Sequence, residues 1–166
     1  MTKSKAKVLP PVAELGIAVA SAQWRMSLVW LLGVVAGLGT LMWQTILGAY
    51  LDNAKEAWAL MTPLYVSILS ILLGALASNA IVQTDAGPER VVLRSYYRVC
   101  LLLSVGANIA YVGSLWLQPV MILHGMAASP YDALKTAMLW MLPVQGIVSI
   151  ALGGLLGASR AGKQRT

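Results

Sequence analysis

The chain has 166 residues, 58% of them hydrophobic and only 11% charged, with a mean hydropathy of +0.74 and a formal net charge of +6. Soluble domains run at roughly 45 to 50% apolar and about 25% charged, so this balance excludes a soluble globular domain and implies an integral membrane protein. One cysteine, Cys100, excludes an internal disulfide framework, and phenylalanine is absent, leaving Trp, Tyr and Met to fill the bulky roles.

Residues 1–11 carry Lys3, Lys5 and Lys7 among small polar residues and end in Pro10 and Pro11. Such a composition cannot bury a core, and this basic start is expected to be disordered. Over residues 12–25 the polar residues Glu14, Ser21 and Arg25 fall near one helical face and Leu15, Val19, Ala22 and Met26 near another. That pattern predicts a short amphipathic helix lying in the membrane interface. The basic start and Ala20-Ser21-Ala22 imitate a signal peptide, but Pro10, Pro11 and Glu14 interrupt its apolar core, so the segment is read as retained.

Four uncharged stretches are long enough to cross a hydrocarbon core of roughly 30 Å. They are Met26 to Leu51, Ala57 to Val82, Val99 to Leu123 and Thr136 to Ser159. The fold class expected is therefore all-α: a polytopic membrane protein whose four transmembrane helices form two tandem hairpins over residues 26–159, followed by a basic tail over 160–166.

The first span holds Gly33-x-x-x-Gly37 and then Gly39, small residues that let another backbone approach closely, within the monomer or across a dimer. A short polar turn from Tyr50 to Glu56 leads into the second span, with Asp52 placed where a helix N-cap belongs. Asp132 has the same position before the fourth span, and Lys55 and Lys135 can each pair with the acid three residues back. Pro63 and Pro143 fall inside their helices, where each removes one backbone hydrogen bond and frees the carbonyl four residues earlier, at Ala59 and Leu139. Paired kinks there would either fit the helices together or shape a cavity lined by Pro63, Tyr65, Asn108, Pro143 and Gln145.

Beyond Asn79 the chain is expected to leave the membrane. Gly87-Pro88 reads as a helix start, and Arg90, Arg94 and Arg98 then repeat every four residues along one side of a helix entering the third span. Anionic lipid headgroups or an acidic cytoplasmic partner would suit that stripe, and Tyr96 and Tyr97 suit the interfacial depth. Asn108 near mid-membrane is expected to face another helix, since leaving its amide among lipid tails costs several kcal/mol. Cys100 reads as a buried thiol in a helix interface, with S-acylation as its rival. The last span ends in Ser149, Gly153 and Gly157, a packing stripe at four-residue spacing.

Ten of the twelve basic residues fall in the N-terminal segment, the middle loop and the tail, which places both termini in the cytoplasm and the middle loop beside them. Trp43, Tyr50, Trp58, Trp116, Tyr131 and Trp140 then gather at the far side as an aromatic belt. The two halves also match each other. At an offset of 80, Asp52, Lys55, Ala57, Met61 and Pro63 fall on Asp132, Lys135, Ala137, Met141 and Pro143. The segments before them match at an offset of 73, through Arg25/Arg98, Leu28/Leu101, Gly33/Gly106 and Trp43/Trp116. A duplication of this kind predicts halves pointing the same way, related by an axis along the membrane normal.

No stretch read as spanning holds an acid, a base or a histidine in its interior, which argues against proton-coupled transport. Catalytic machinery, phosphate loops and metal-ligand spacings are not visible, and no cofactor is expected. His124 is the only histidine, and the loose set Met121, His124 and Met126 reads as packing material rather than a copper site. The net charge is accounted for by topology and gives no warrant for nucleic-acid binding. The expectation is a non-enzymatic inner-membrane scaffold or assembly subunit contacting anionic lipids and other membrane subunits or its own copies. The alternative is an oligomeric channel or passive carrier.

Overall fold

The computed structural model describes residues 16–82 and 91–157. The lysine-rich start, Pro10, Pro11, Glu14, the Gly87-Pro88 helix start, Arg90 and the basic tail lie outside these residues, as does the side chain of Asn79.

Strand β1 (Gly16–Ala18) precedes helix α1 (Val19–Ile46), and α2 follows over Ala54–Val82. After strand β2 (Val91–Leu93) come α3 (Arg94–Trp116), the short α4 (Gln118–Leu123) and α5 (Pro130–Gly157). Among the described residues four helices are long and apolar enough to cross a membrane, which gives the build of a multi-pass membrane protein. Helix α1 packs against α2 and α3, and α5 packs against the same two, so the four form a ring in which α1 and α5 lie across one diagonal and α2 and α3 across the other. Equivalent helices of the proposed halves are thus neighbours, α1 beside α3 and α2 beside α5.

The expected interfacial helix over residues 12–25 is corrected where it is described. Gly16–Ala18 is extended, and residues 19–25 are already the first turns of α1, whose buried face of Val19, Ala22 and Met26 runs on into Trp30 and Val34. The helix expected to carry Arg90 into the third span is likewise interrupted, because Val91–Leu93 pairs antiparallel with β1. The β-branched Val91 and Val92 favour that extended backbone. The register sets Ile17 opposite Val92, with Gly16 opposite Leu93 and Ala18 opposite Val91. Each strand leads directly into its helix, so the first turns of α1 and α3 are tied side by side.

The span ends also move. Helix α1 stops five residues before the expected Leu51, because Gly48 at φ +73 turns the chain: its amide bonds to Thr45 O, and that of Ala49 to Gln44 O. The third span ends at Trp116, not Leu123. Pro119 has no amide to offer the carbonyl of Leu115, and the chain restarts as α4, which Gly125 at φ +67 ends with a second turn of the same kind.

The two aspartates are not equivalent caps. Ser129 caps α5: its hydroxyl accepts from the Asp132 amide at 3.1 Å and donates to the Asp132 carboxylate at 2.8 Å. Asp132 also pairs with Lys135 at 3.8 Å, while Lys135 lies 4.2 Å from the Tyr131 ring centroid. Asp52 sits in a 3-10 turn over Leu51–Asn53 and makes neither a capping bond nor an ion pair among the described residues.

Candidate functional site

With lipid tails outside as apolar as the core inside, helices in a bilayer are held by close packing and interhelical hydrogen bonds rather than by water exclusion. The functional chemistry of this chain therefore has to be sought where helices approach closely and where polar atoms are buried.

At mid-bundle α1 presents Gly33 and Gly37. A Cβ on Gly33 would lie 1.6 Å from Asn108 Oδ1, and one on Gly37 would lie 1.9 Å from the Tyr65 hydroxyl. The GxxxG face is thus occupied inside the monomer, by α3 at the first glycine and α2 at the second. Asn108 Nδ2 donates to Ser104 O at 2.9 Å. Tyr111 lies with its ring centroid 6.4 Å from Trp30 and 6.2 Å from Tyr65, edge-on to the latter, and its hydroxyl donates to Met141 O at 3.4 Å. Four polar atoms in this layer, Trp30 Nε1, the Tyr65 hydroxyl, Ser104 Oγ and Asn108 Oδ1, are buried without a hydrogen-bond partner among the described residues. Large side chains fill the layer, with Trp30, Tyr65, Tyr111, Met26, Met61 and Met141 all under 2% exposed.

The five residues considered as cavity lining separate. Tyr65 and Asn108 belong to this buried layer, and Gln145 is half-buried on α5, donating to Leu64 O at 3.2 Å and to Ser67 Oγ on α2. Pro63 and Pro143 are both exposed, on the outer surface of the bundle rather than towards its interior. They stand in otherwise continuous helices.

A second polar cluster, not expected from the sequence, joins α1, the following turn and α4. Tyr50, expected in the aromatic belt, is instead 2% exposed and donates to Gln44 Oε1 at 2.7 Å, while Gln118 Nε2 donates to the Tyr50 hydroxyl at 2.8 Å. Gln44 Nε2 donates at 2.8 Å to the Leu115 carbonyl that Pro119 leaves unserved. Trp58 Nε1 adds a bond to Thr45 Oγ1 at 3.1 Å. Burial raises the Tyr50 phenol above its ordinary value, and the Gln118 hydrogen bond opposes that shift. The available signal was a pair of glutamines at the ends of apolar stretches, 74 residues apart. Trp43, Trp116 and Trp140 are exposed, as members of a belt need to be.

Arg94 and Arg98 are exposed one turn apart at the start of α3, and neither has an ion-pair or hydrogen-bond partner among the described residues. Tyr96 is partly exposed and donates to Ala151 O at 2.9 Å, whereas Tyr97 is buried. Cys100 is buried with its Sγ 3.6 Å from the same carbonyl, a thiol held in the α3/α5 interface. On α5, Ser149 is half-buried and Gly153 is open, with nothing within 4 Å of an added Cβ; Gly157 closes the helix. No family model, no curated protein and no solved structure matches the chain.

Proposed function

We propose that the chain is a non-enzymatic integral inner-membrane protein acting as a scaffold or assembly subunit of a larger membrane complex. In this reading it is built as two tandem helical hairpins with both termini in the cytoplasm. The observation that carries the reading is the unequal use of its small residues. Gly33 and Gly37 are filled by the monomer's own side chains, whereas Gly146 and Gly153, two turns apart on α5, have nothing within 4 Å of an added Cβ. Leu142 and Ile150 stand exposed beside them. Seven-residue spacing keeps such positions on one side of a helix, and small residues there allow a helix of another subunit, or of a second copy, to approach closely. The test is gentle detergent extraction followed by identification of what co-purifies. Gly153→Leu should release the partner or dissociate the oligomer without lowering the stability of the monomer, and unchanged co-purification and unchanged mass would count against the reading.

One observation favours the second reading, an oligomeric channel or passive carrier: four unpartnered polar atoms lie buried at mid-bundle. Against conduction through the monomer stand the bulky side chains of the same layer. Liposome flux separates the two, because a scaffold passes neither ions nor small solutes.

A further inference from the structure

An outward groove of about 380 Å³ runs between α3 and α5, lined by Leu102, Leu103, Gly106, Ala110, Val144 and Ile147 among others, almost all of it hydrocarbon. From Leu102 to Ala110 is eight residues, or roughly 12 Å along a helix at 1.5 Å per residue. A continuous hydrocarbon lining over that length suits an extended acyl chain. Arg98 precedes Leu102 by one turn on a neighbouring face of α3, and Arg94 precedes it by two. Both guanidinium groups are exposed and unpaired among the described residues. The acids that are described, Asp52, Glu56 and Asp132, all lie at the starts of α2 and α5 and none in α3. Above the groove the Tyr96 hydroxyl ties α3 to Ala151 O of α5, so the two walls are held together where the arginines begin.

We propose that this groove seats one acyl chain of an anionic phospholipid whose phosphate is held by Arg98 and Arg94. The distance agrees: from Arg98 to Ala110 is twelve residues, roughly 18 Å, and one leaflet's hydrocarbon is about 15 Å deep. Guanidinium presents a planar fork to phosphate oxygens, and its long stem lets the charge sit at headgroup depth while the methylenes lie against Leu102. The proposal rests on the lipid-contacting part of the reading above and commits it to a single seat.

The groove and the charge can be removed separately. An added Cβ at Gly106 meets nothing within 4 Å among the described residues, so Gly106→Leu starts its side chain into the open groove. The experiment is native mass spectrometry of the purified full chain in non-ionic detergent, titrated with dioleoyl phosphatidylglycerol or with dioleoyl phosphatidylcholine, which share their acyl chains. The wild type should retain one phosphatidylglycerol per chain in clear preference to phosphatidylcholine. Arg94→Gln with Arg98→Gln should weaken that retention by about fivefold per arginine, the worth of one basic residue at an anionic surface, and erase the preference. Gly106→Leu should lower retention of both lipids while leaving thermal unfolding unchanged. Equal retention of the two lipids by the wild type overturns the proposal. So does a Gly106→Leu chain that holds phosphatidylglycerol as well as the wild type, which would mark a bare anion site. Because the isolated chain is measured, loss of the lipid seat and loss of a co-purifying partner are separate outcomes.

Discussion

Gln44 Nε2 donates a 2.8 Å hydrogen bond to the carbonyl of Leu115, the acceptor that Pro119 cannot serve because it has no amide. One side chain of α1 thereby satisfies a main-chain group of α3 at the point where the third span ends. Gln44→Ala would orphan that carbonyl and leave the Tyr50 hydroxyl only the longer bond to Gln118 Oε1 at 3.2 Å, at a cost of about 1–3 kcal/mol for a buried group left unpaired. Restoring an amide with Pro119→Ala should reduce the cost of Gln44→Ala, so a double-mutant cycle on unfolding in detergent should show coupling between two residues 75 positions apart. Strict additivity would mean that the proline does not create the need for the glutamine.

Gly33 and Gly37 should tolerate no side chain. Their added Cβ atoms would meet Asn108 Oδ1 and the Tyr65 hydroxyl far inside contact distance, so Gly33→Ala and Gly37→Ala should each destabilise the bundle by about 1–3 kcal/mol through overpacking. Gly39, two residues on, has open space around it, and Gly39→Ala should be neutral or slightly stabilising through helix propensity. Asn108→Ala should partly rescue Gly33→Ala and leave Gly37→Ala unrescued. Thermal unfolding of the five variants decides it.

The capping difference between the halves gives a third expectation. Ser129→Ala removes the bond to the Asp132 amide and should cost about 1 kcal/mol. Asp132→Ala keeps that amide bond but loses the carboxylate's bond from the Ser129 hydroxyl and the partly exposed Lys135 pair, worth little by itself. Asp52→Ala should change stability by no more than a few tenths of a kcal/mol, since its carboxylate bonds to nothing among the described residues. Equal losses at Asp52 and Asp132, read by chemical unfolding, would contradict this.

The helices were legible in the sequence because length and apolar composition are properties of a stretch by itself. What was misread depends on a distant partner. Three extended residues at Gly16–Ala18 exist as a strand only because Val91–Leu93 pairs with them, and no local pattern announces that. Tyr50 reads as a belt residue by position, yet Gln44 and Gln118 draw its hydroxyl into the interior. The offset of 73 between the first helices of the halves does not line up their buried positions. It equates Gly33, packed on Asn108, with Gly106, which is open, whereas an offset of 74 carries buried Met26, Trp30, Gly37 and Leu41 onto buried Cys100, Ser104, Tyr111 and Leu115. Burial follows the face of a helix.

At an offset of 80 buried positions of α2 and α5 coincide, which gives the sharpest comparison between the two helices. Ala57, Met61, Ile68 and Leu72 are buried, as are Ala137, Met141, Val148 and Leu152, while Pro63 and Pro143 are exposed in both. Matching faces imply matching sensitivities. Met61→Ala and Met141→Ala each empty a fully buried site and should destabilise by similar amounts, about 2–5 kcal/mol. Pro63→Ala and Pro143→Ala instead change an outward position and return one amide to the helix, donating to Ala59 O and Leu139 O. Each should leave the bundle folded and unfolding at an equal or higher temperature. Were the prolines to shape an interior cavity, their substitution would instead loosen the buried layer around Tyr65 and Tyr111, and both variants would lose stability together. A pair of proline variants less stable than the wild type, measured beside the two methionine variants, would return the prolines to the interior.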